Sequence, residues 1–281
     1  MKTIVCPTDF SPCAENAVHY ADQLAQRTQA RLILCHNLPP TNTPRRVPSG
    51  APSQAVLAMD EPDGNSLKER TEKIRKEVRA SHPDTAVLYE STIKYGITQD
   101  GIPSLAEAEQ ADLIVMGTDG IHSLEGTVAG TISAQMVEKA TCPVLIIPRN
   151  ASFHWLKHIV VATDLGENSS PEMNIVFELA QLFGAEIHFF HILDREMVGA
   201  RATAWEGFTK WKQQFSYEKI AFYTNTREDL QEAIVEFSRV HNADLLVMIH
   251  HPRSFWKLNN SQTKLMAYHT QVPLLAIHYR A

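Results

Sequence analysis

The chain has 281 residues, a formal net charge of -6, 44% hydrophobic and 21% charged residues, a composition typical of folded globular proteins and a length that suits two cores. The acidic balance offers no basic field for a nucleic-acid backbone, and no apolar run is long enough for a membrane span or a secretory signal. All four cysteines (Cys6, Cys13, Cys35, Cys142) lie in the first half at spacings that match neither a zinc pair nor a disulfide framework, so a reduced, cytoplasmic setting is expected.

In chain order, a short apolar strand over 2–7 is followed by a helix over 14–28 that places Ala17, Tyr20, Ala21, Leu24 and Ala25 on one face, then by a strand over 31–36. The stretch 39–65 carries Pro44, Pro48, Pro52 and Pro62 and has neither helical nor strand period, so it reads as a loop over the strand ends, placed where a lid would sit. A charged helix over 66–80 points Leu67, Ile74 and Val78 inward. A strand over 86–93, a helix over 98–110, a strand over 112–117, a helix over 130–140 and a strand over 143–148 complete the half. The second half repeats the alternation at 158–163, 169–183, 185–192, 201–215, 218–223, 226–241, 243–249, 261–270 and 273–278. Apolar runs alternating with helical segments predict parallel β-α-β units, five strands and four helices in each half.

The halves also match in sequence. IVCPTDFS at 4–11 returns as IVVATDL at 159–165, ADLIVM at 111–116 as ADLLVM at 243–248, and CPVLII at 142–147 as VPLLAI at 272–277. A duplicated unit follows, with domains expected over 1–149 and 155–281.

One loop carries chemistry. After the strand DLIVM come Gly117 and Gly120, then nine residues, then Gly130 and Thr131 opening a helix. Glycines permit a sharp turn and a close backbone approach, and the free N–H groups of a helix start suit an anion, with the Thr131 hydroxyl as a further donor. The spacing is neither a Walker A loop nor a G-x-G-x-x-G fingerprint.

Together, PTDFS at 7–11, His36 at the end of the second strand, ADLIVMGTDG at 111–120, GT at 130–131 and CPVLIIP at 142–148 resemble the universal stress protein family, and the resemblance covers nearly the whole chain. It implies two tandem Rossmann-like domains of the adenine nucleotide alpha hydrolase-like type, each a five-stranded parallel sheet with helices on both faces. In that family the G-2x-G-9x-G-[ST] loop marks the ATP-binding branch, so ATP, with Mg²⁺, is implied for the first repeat. Carried onto this sequence, the implied contacts are Pro7, Thr8 and Asp9 after the first strand, His36 and Asn37 after the second, Met116 and Gly117 at the fourth, and Gly120, Gly130, Thr131, Ile132 and Ser133 around the phosphates. Asn37 departs from the pattern, because relatives often carry an aliphatic residue there for adenine to pack on. Asp9 has a second reading as the cap of the following helix.

In the second repeat Ile249, Pro252 and Gln262 replace the three glycines and only Thr263 remains, so ATP binding is not expected there. That repeat keeps Asp164 and many imidazoles, among them His188, His191, His241, His250, His251, His269 and His278, which are read as solvated or hydrogen-bonded; no metal site is assigned. Trp205, Phe208, Trp211 and Phe215 recur at helical spacing as a packing face. No catalytic constellation stands out, so a nucleotide-responsive regulatory role is expected, and the family resemblance implies that it serves stress survival. The alternatives are a nucleotide-free scaffold whose halves pair through their last strands, and a slow Mg²⁺-dependent ATPase. Adenine nucleotide is the expected partner, without nucleic acid or membrane; protein partners are unassigned, and a homodimer is compatible.

Overall fold

The computed structural model describes residues 1–38, 64–118, 132–163, 173–193, 198–213, 215–226, 229–250, 266 and 271–278. The proline-rich stretch expected to form a lid lies outside these residues but for its last two, as do Gly120, Gly130, Thr131, Asp164, Pro252, Gln262, Thr263, His251 and His269.

The first half runs β1 (Thr3–Pro7), α1 (Pro12–Thr28), β2 (Arg31–Leu38), α2 (Gly64–Ala80), β3 (Tyr89–Tyr95), α3 (Thr98–Ala108), β4 (Leu113–Thr118), α4 (Ile132–Lys139) and β5 (Val144–Pro148). The second runs β6 (His158–Ala162), α5 (Asn174–Phe183), β7 (Glu186–Ile192), α6 (Ala200–Lys212), β8 (Ile220–Asn225), α7 (Leu230–Val240), β9 (Leu245–His250) and β10 (Leu274–His278). Of the helix expected over 261–270, Met266 alone is described; it is helical and buried. Two starts move for local reasons. Helix α1 begins at Pro12 because the Ser11 side chain accepts a hydrogen bond from the Ala14 N–H and proline suits the first turn. Strand β3 begins at Tyr89 because the Val87 N–H donates to the Thr85 hydroxyl, a turn that holds the chain out of the ladder.

The ten strands of the described residues form one sheet in the order β3-β2-β1-β4-β5-β10-β9-β6-β7-β8. Pairing is parallel within each half and antiparallel between β5 and β10, where Leu145 faces Leu275. The expected pairing of the halves through their last strands is therefore present. Helices cover both faces, so inner strands such as β1, β4 and β5 read as nearly continuous apolar runs rather than alternating, while the edge strands β3 and β8 are more polar and half-buried. Ile4, Cys6, Ile159 and Val161 point to one core, and Val5, Val160, Ala162 and Ile114 to the other. The five predicted α1 positions are all buried, as is Val78 of α2, with Ile74 packed beside it.

The repeat also dictates which polar contacts recur. Asp112 Oδ2 accepts from the Lys2 and Thr3 amides, and Asp244 Oδ2 accepts from the Lys157 and His158 amides. The aspartate of each ADL motif thus ties the start of its fourth strand to the start of its first.

Candidate functional site

Strand β1 ends in a tight turn. The Phe10 N–H donates to Thr8 Oγ1 and the Ser11 N–H to Asp9 Oδ1, while Phe10 takes the left-handed conformation with φ 65°. A phenylalanine gains nothing locally from that conformation. It is held there by its ring, which stacks on His36 with centroids 4.6 Å apart and has the Arg70 guanidinium over it, 4.3 Å from the ring centroid. Ser11, not Asp9, caps α1, so the Asp9 carboxylate remains exposed at the strand end.

His36 and the Thr8 carbonyl are joined at Nδ1 by a 2.6 Å hydrogen bond, and in the second repeat His191 Nδ1 meets the Thr163 carbonyl at 2.9 Å. The same tie occurs with and without a glycine-spaced loop, which gives His36 a structural duty in addition to its place beside the site.

Around this turn is a cavity of about 350 Å³ at the carboxyl ends of β1, β2 and β4, lined by Pro7, Thr8, Asp9, His36, Asn37, Met116, Gly117, Ile132 and Ser133 together with Ser11, Cys13, Ala14, Thr98, Ile102 and Thr118. Every described residue predicted for the site is on its wall. The volume falls in the usual range of ligand pockets, roughly 300–1,000 Å³. Position follows from the fold: ligands of parallel sheets bind where strands end and helices begin. Ile132 and Ser133 open α4, so the amino end of that helix stands at the wall.

Asn37 fits differently from an aliphatic wall. Its Nδ2 donates to the Gly96 carbonyl at 2.8 Å and to Thr98 Oγ1 at 3.2 Å, tying β2 to the start of α3. Its Oδ1 is buried without a hydrogen-bond partner. Gly117 differs from the expectation too. A Cβ there would meet the Cys13 carbonyl oxygen at 2.4 Å, so the close approach that requires glycine is to the first turn of α1. Nucleophilic chemistry by the nearby thiols is disfavoured, since burial pushes Cys35 up to about 12 and Cys6 well above its ordinary value.

A family model described as the universal stress protein family matches residues 1–148 and again 156–278. The chain belongs to the universal stress protein family. Its curated relatives include universal stress proteins of Methanocaldococcus jannaschii, 25% identical over 157 residues, and of Thermus aquaticus, 33% identical over 147 residues. These alignments cover 97% and 98% of the relatives but 54% and 52% of this chain, as a tandem arrangement requires. A universal stress protein from Archaeoglobus fulgidus shares the whole fold, with a TM-score of 0.73 over 98% of both chains at 14% identity.

Thr98 and Ile102, on the first turns of α3, were missed by reading this universal stress protein as a sequence. Nothing in their residue types announces a ligand, and only the strand-end rule would have drawn attention to the helix after β3. In the second repeat the structure assembles a group that no motif announced: His158, Glu186 and His188. The aromatic series divides, with Phe208 and Trp211 buried against Phe189 and Trp205 exposed. No helix of the described residues is long and apolar enough to cross a membrane.

Proposed function

We propose that the first repeat binds ATP, with Mg²⁺, and that occupancy of this cleft is the signal the protein transmits. The observation that carries the reading is the convergence of Thr8, Asp9, His36, Asn37, Met116, Gly117, Ile132 and Ser133 on one cavity at the strand ends. Those residues come from four separate places in the chain. The glycine-spaced stretch 117–131 is assigned the phosphate contacts in this reading, because glycines and a Thr at this spacing before a helix suit an anion.

Asn37 contributes to the wall of the cleft, with its Oδ1 turned against Gly101 of α3. Turnover is not part of the proposal, since the sequence carries no catalytic motif and burial raises the Cys6 and Cys35 thiols.

Calorimetric titration of Mg²⁺-ATP into the purified protein tests the reading, with Mg²⁺-GTP and a Gly130→Glu variant alongside. Saturable ATP binding that weakens in the variant, with GTP weaker than ATP, is the expected result. No heat at millimolar ATP, or unchanged affinity in Gly130→Glu, would refute it.

A further inference from the structure

The second repeat gathers three potential metal ligands at the amino ends of β6 and β7, far along the sheet from the cleft. The parallel register pairs His158 with Glu186 and Val160 with His188. Residues two apart on a strand share a face, so His158, Glu186 and His188 stand side by side. One ligand atom from each lies within 4.8 Å of the others.

The polar groups are poorly served by the protein itself. His188 is only 5% exposed, yet neither of its ring nitrogens has a hydrogen bond, and the buried Nδ1 of His158 has none either. Glu186 Oε2 stands 3.4 Å from His188 Nε2, too long for a charge-assisted bond. Buried, unpaired imidazole nitrogens are disfavoured unless something else fills their lone pairs. The ring is otherwise packed among His158, Tyr223 and His241, at centroid distances of 5.5, 5.5 and 5.2 Å.

The first repeat acts as an internal control. At the equivalent positions it has Thr3, Arg31 and Ile33, and Arg31 pairs with Glu90 at 3.3 Å and Glu109 at 2.7 Å. There the positive charge is a guanidinium. In the second repeat the arginine has become Glu186, and the ADL alignment puts His241 at the place of Glu109. A carboxylate among imidazoles has replaced an arginine among carboxylates.

We propose that His158, Glu186 and His188 form a binding site for a divalent transition cation of the zinc class, two imidazoles and one carboxylate with a fourth position open to solvent. Ligation requires a side-chain rotation that brings the donors to the usual ligand distances of about 2.0–2.2 Å. The ion enters past Glu186, whose side chain is 46% exposed.

The test is Zn²⁺ titration of the chelator-treated full-length protein by calorimetry, with Co²⁺ absorption reporting coordination. One metal should bind per chain, and His158→Ala and Glu186→Gln should each weaken binding by about tenfold or more. Both positions are partly exposed, and thermal unfolding without metal shows that the variants fold. The core position His188 is left intact for that reason. Zinc affinity unchanged in the double variant, or no saturable uptake at micromolar Zn²⁺, overturns the assignment. Neither result bears on nucleotide binding in the first repeat.

Discussion

A Cβ on Gly117 would stand 2.4 Å from the carbonyl oxygen of Cys13. The last turn of β4 and the first turn of α1 thus touch backbone to backbone, at the point where the cleft wall is built. Gly117→Ala should lower the stability of the nucleotide-free protein by about 1–3 kcal/mol, as overpacking does. Chemical denaturation without ligand measures it, and an unchanged midpoint would show that the two elements separate at no cost.

Asn37 and Gly101 make a second such pair, since a Cβ on Gly101 would lie 2.3 Å from Asn37 Oδ1. Gly101 is within α3, where alanine is ordinarily better than glycine by about 0.5–1 kcal/mol. Gly101→Ala should therefore destabilise the native sequence but stabilise an Asn37→Ala background. A double-mutant cycle of unfolding free energies reads this reversal of sign, and additive effects would contradict it.

Much of the architecture was legible because patterns were long and repeated. Ala17, Tyr20, Ala21, Leu24 and Ala25 announced the buried face of α1, and the matching of CPVLII with VPLLAI announced the joint between the halves. Asp9 and Ser11 show the limit: both can cap a helix, and only the backbone direction after the Phe10 turn decides for Ser11. Gly117 was visible as a necessary glycine, but its neighbour was not, because Cys13 is distant in sequence. The His158 group was illegible for a similar reason. Its members lie on two strands, and strand register, not spacing, brings them together.

The charge network of α2 gives a pH prediction. Hydrogen bonds from Arg75 and then from the Ser91 hydroxyl hold Glu72 down at about 2, against an ordinary 4.5. A carboxylate lowered on folding stabilises the native state above its unfolded value, and that contribution is lost as pH falls through the folded one. The side chain is 34% exposed, so solvent screening reduces the effect to about 1 kcal/mol. Glu72→Gln should be less stable than the native protein by that amount at pH 7, with the difference fading between about pH 4.5 and 2. Denaturant titrations of both proteins across that range check it.

Leu145 and Leu275 face one another at the joint of the sheet, 2% and 0% exposed. Leu275→Ala should cost about 2–5 kcal/mol. Because the sheet is continuous, calorimetry should show both halves melting together at a lower temperature, and loss from the second half alone would mean that the joint does not couple them.

The antiparallel joint has one more consequence. Strands of the second repeat run opposite to those of the first, so the rim on which β1, β2 and β4 finish is the rim from which β6 and β7 set out. Five strand spacings separate β1 from β6, about 25 Å. The strand-end cleft of the first repeat and the histidine group therefore open along the same border of the molecule, and one macromolecular surface lying across that border would meet the two together.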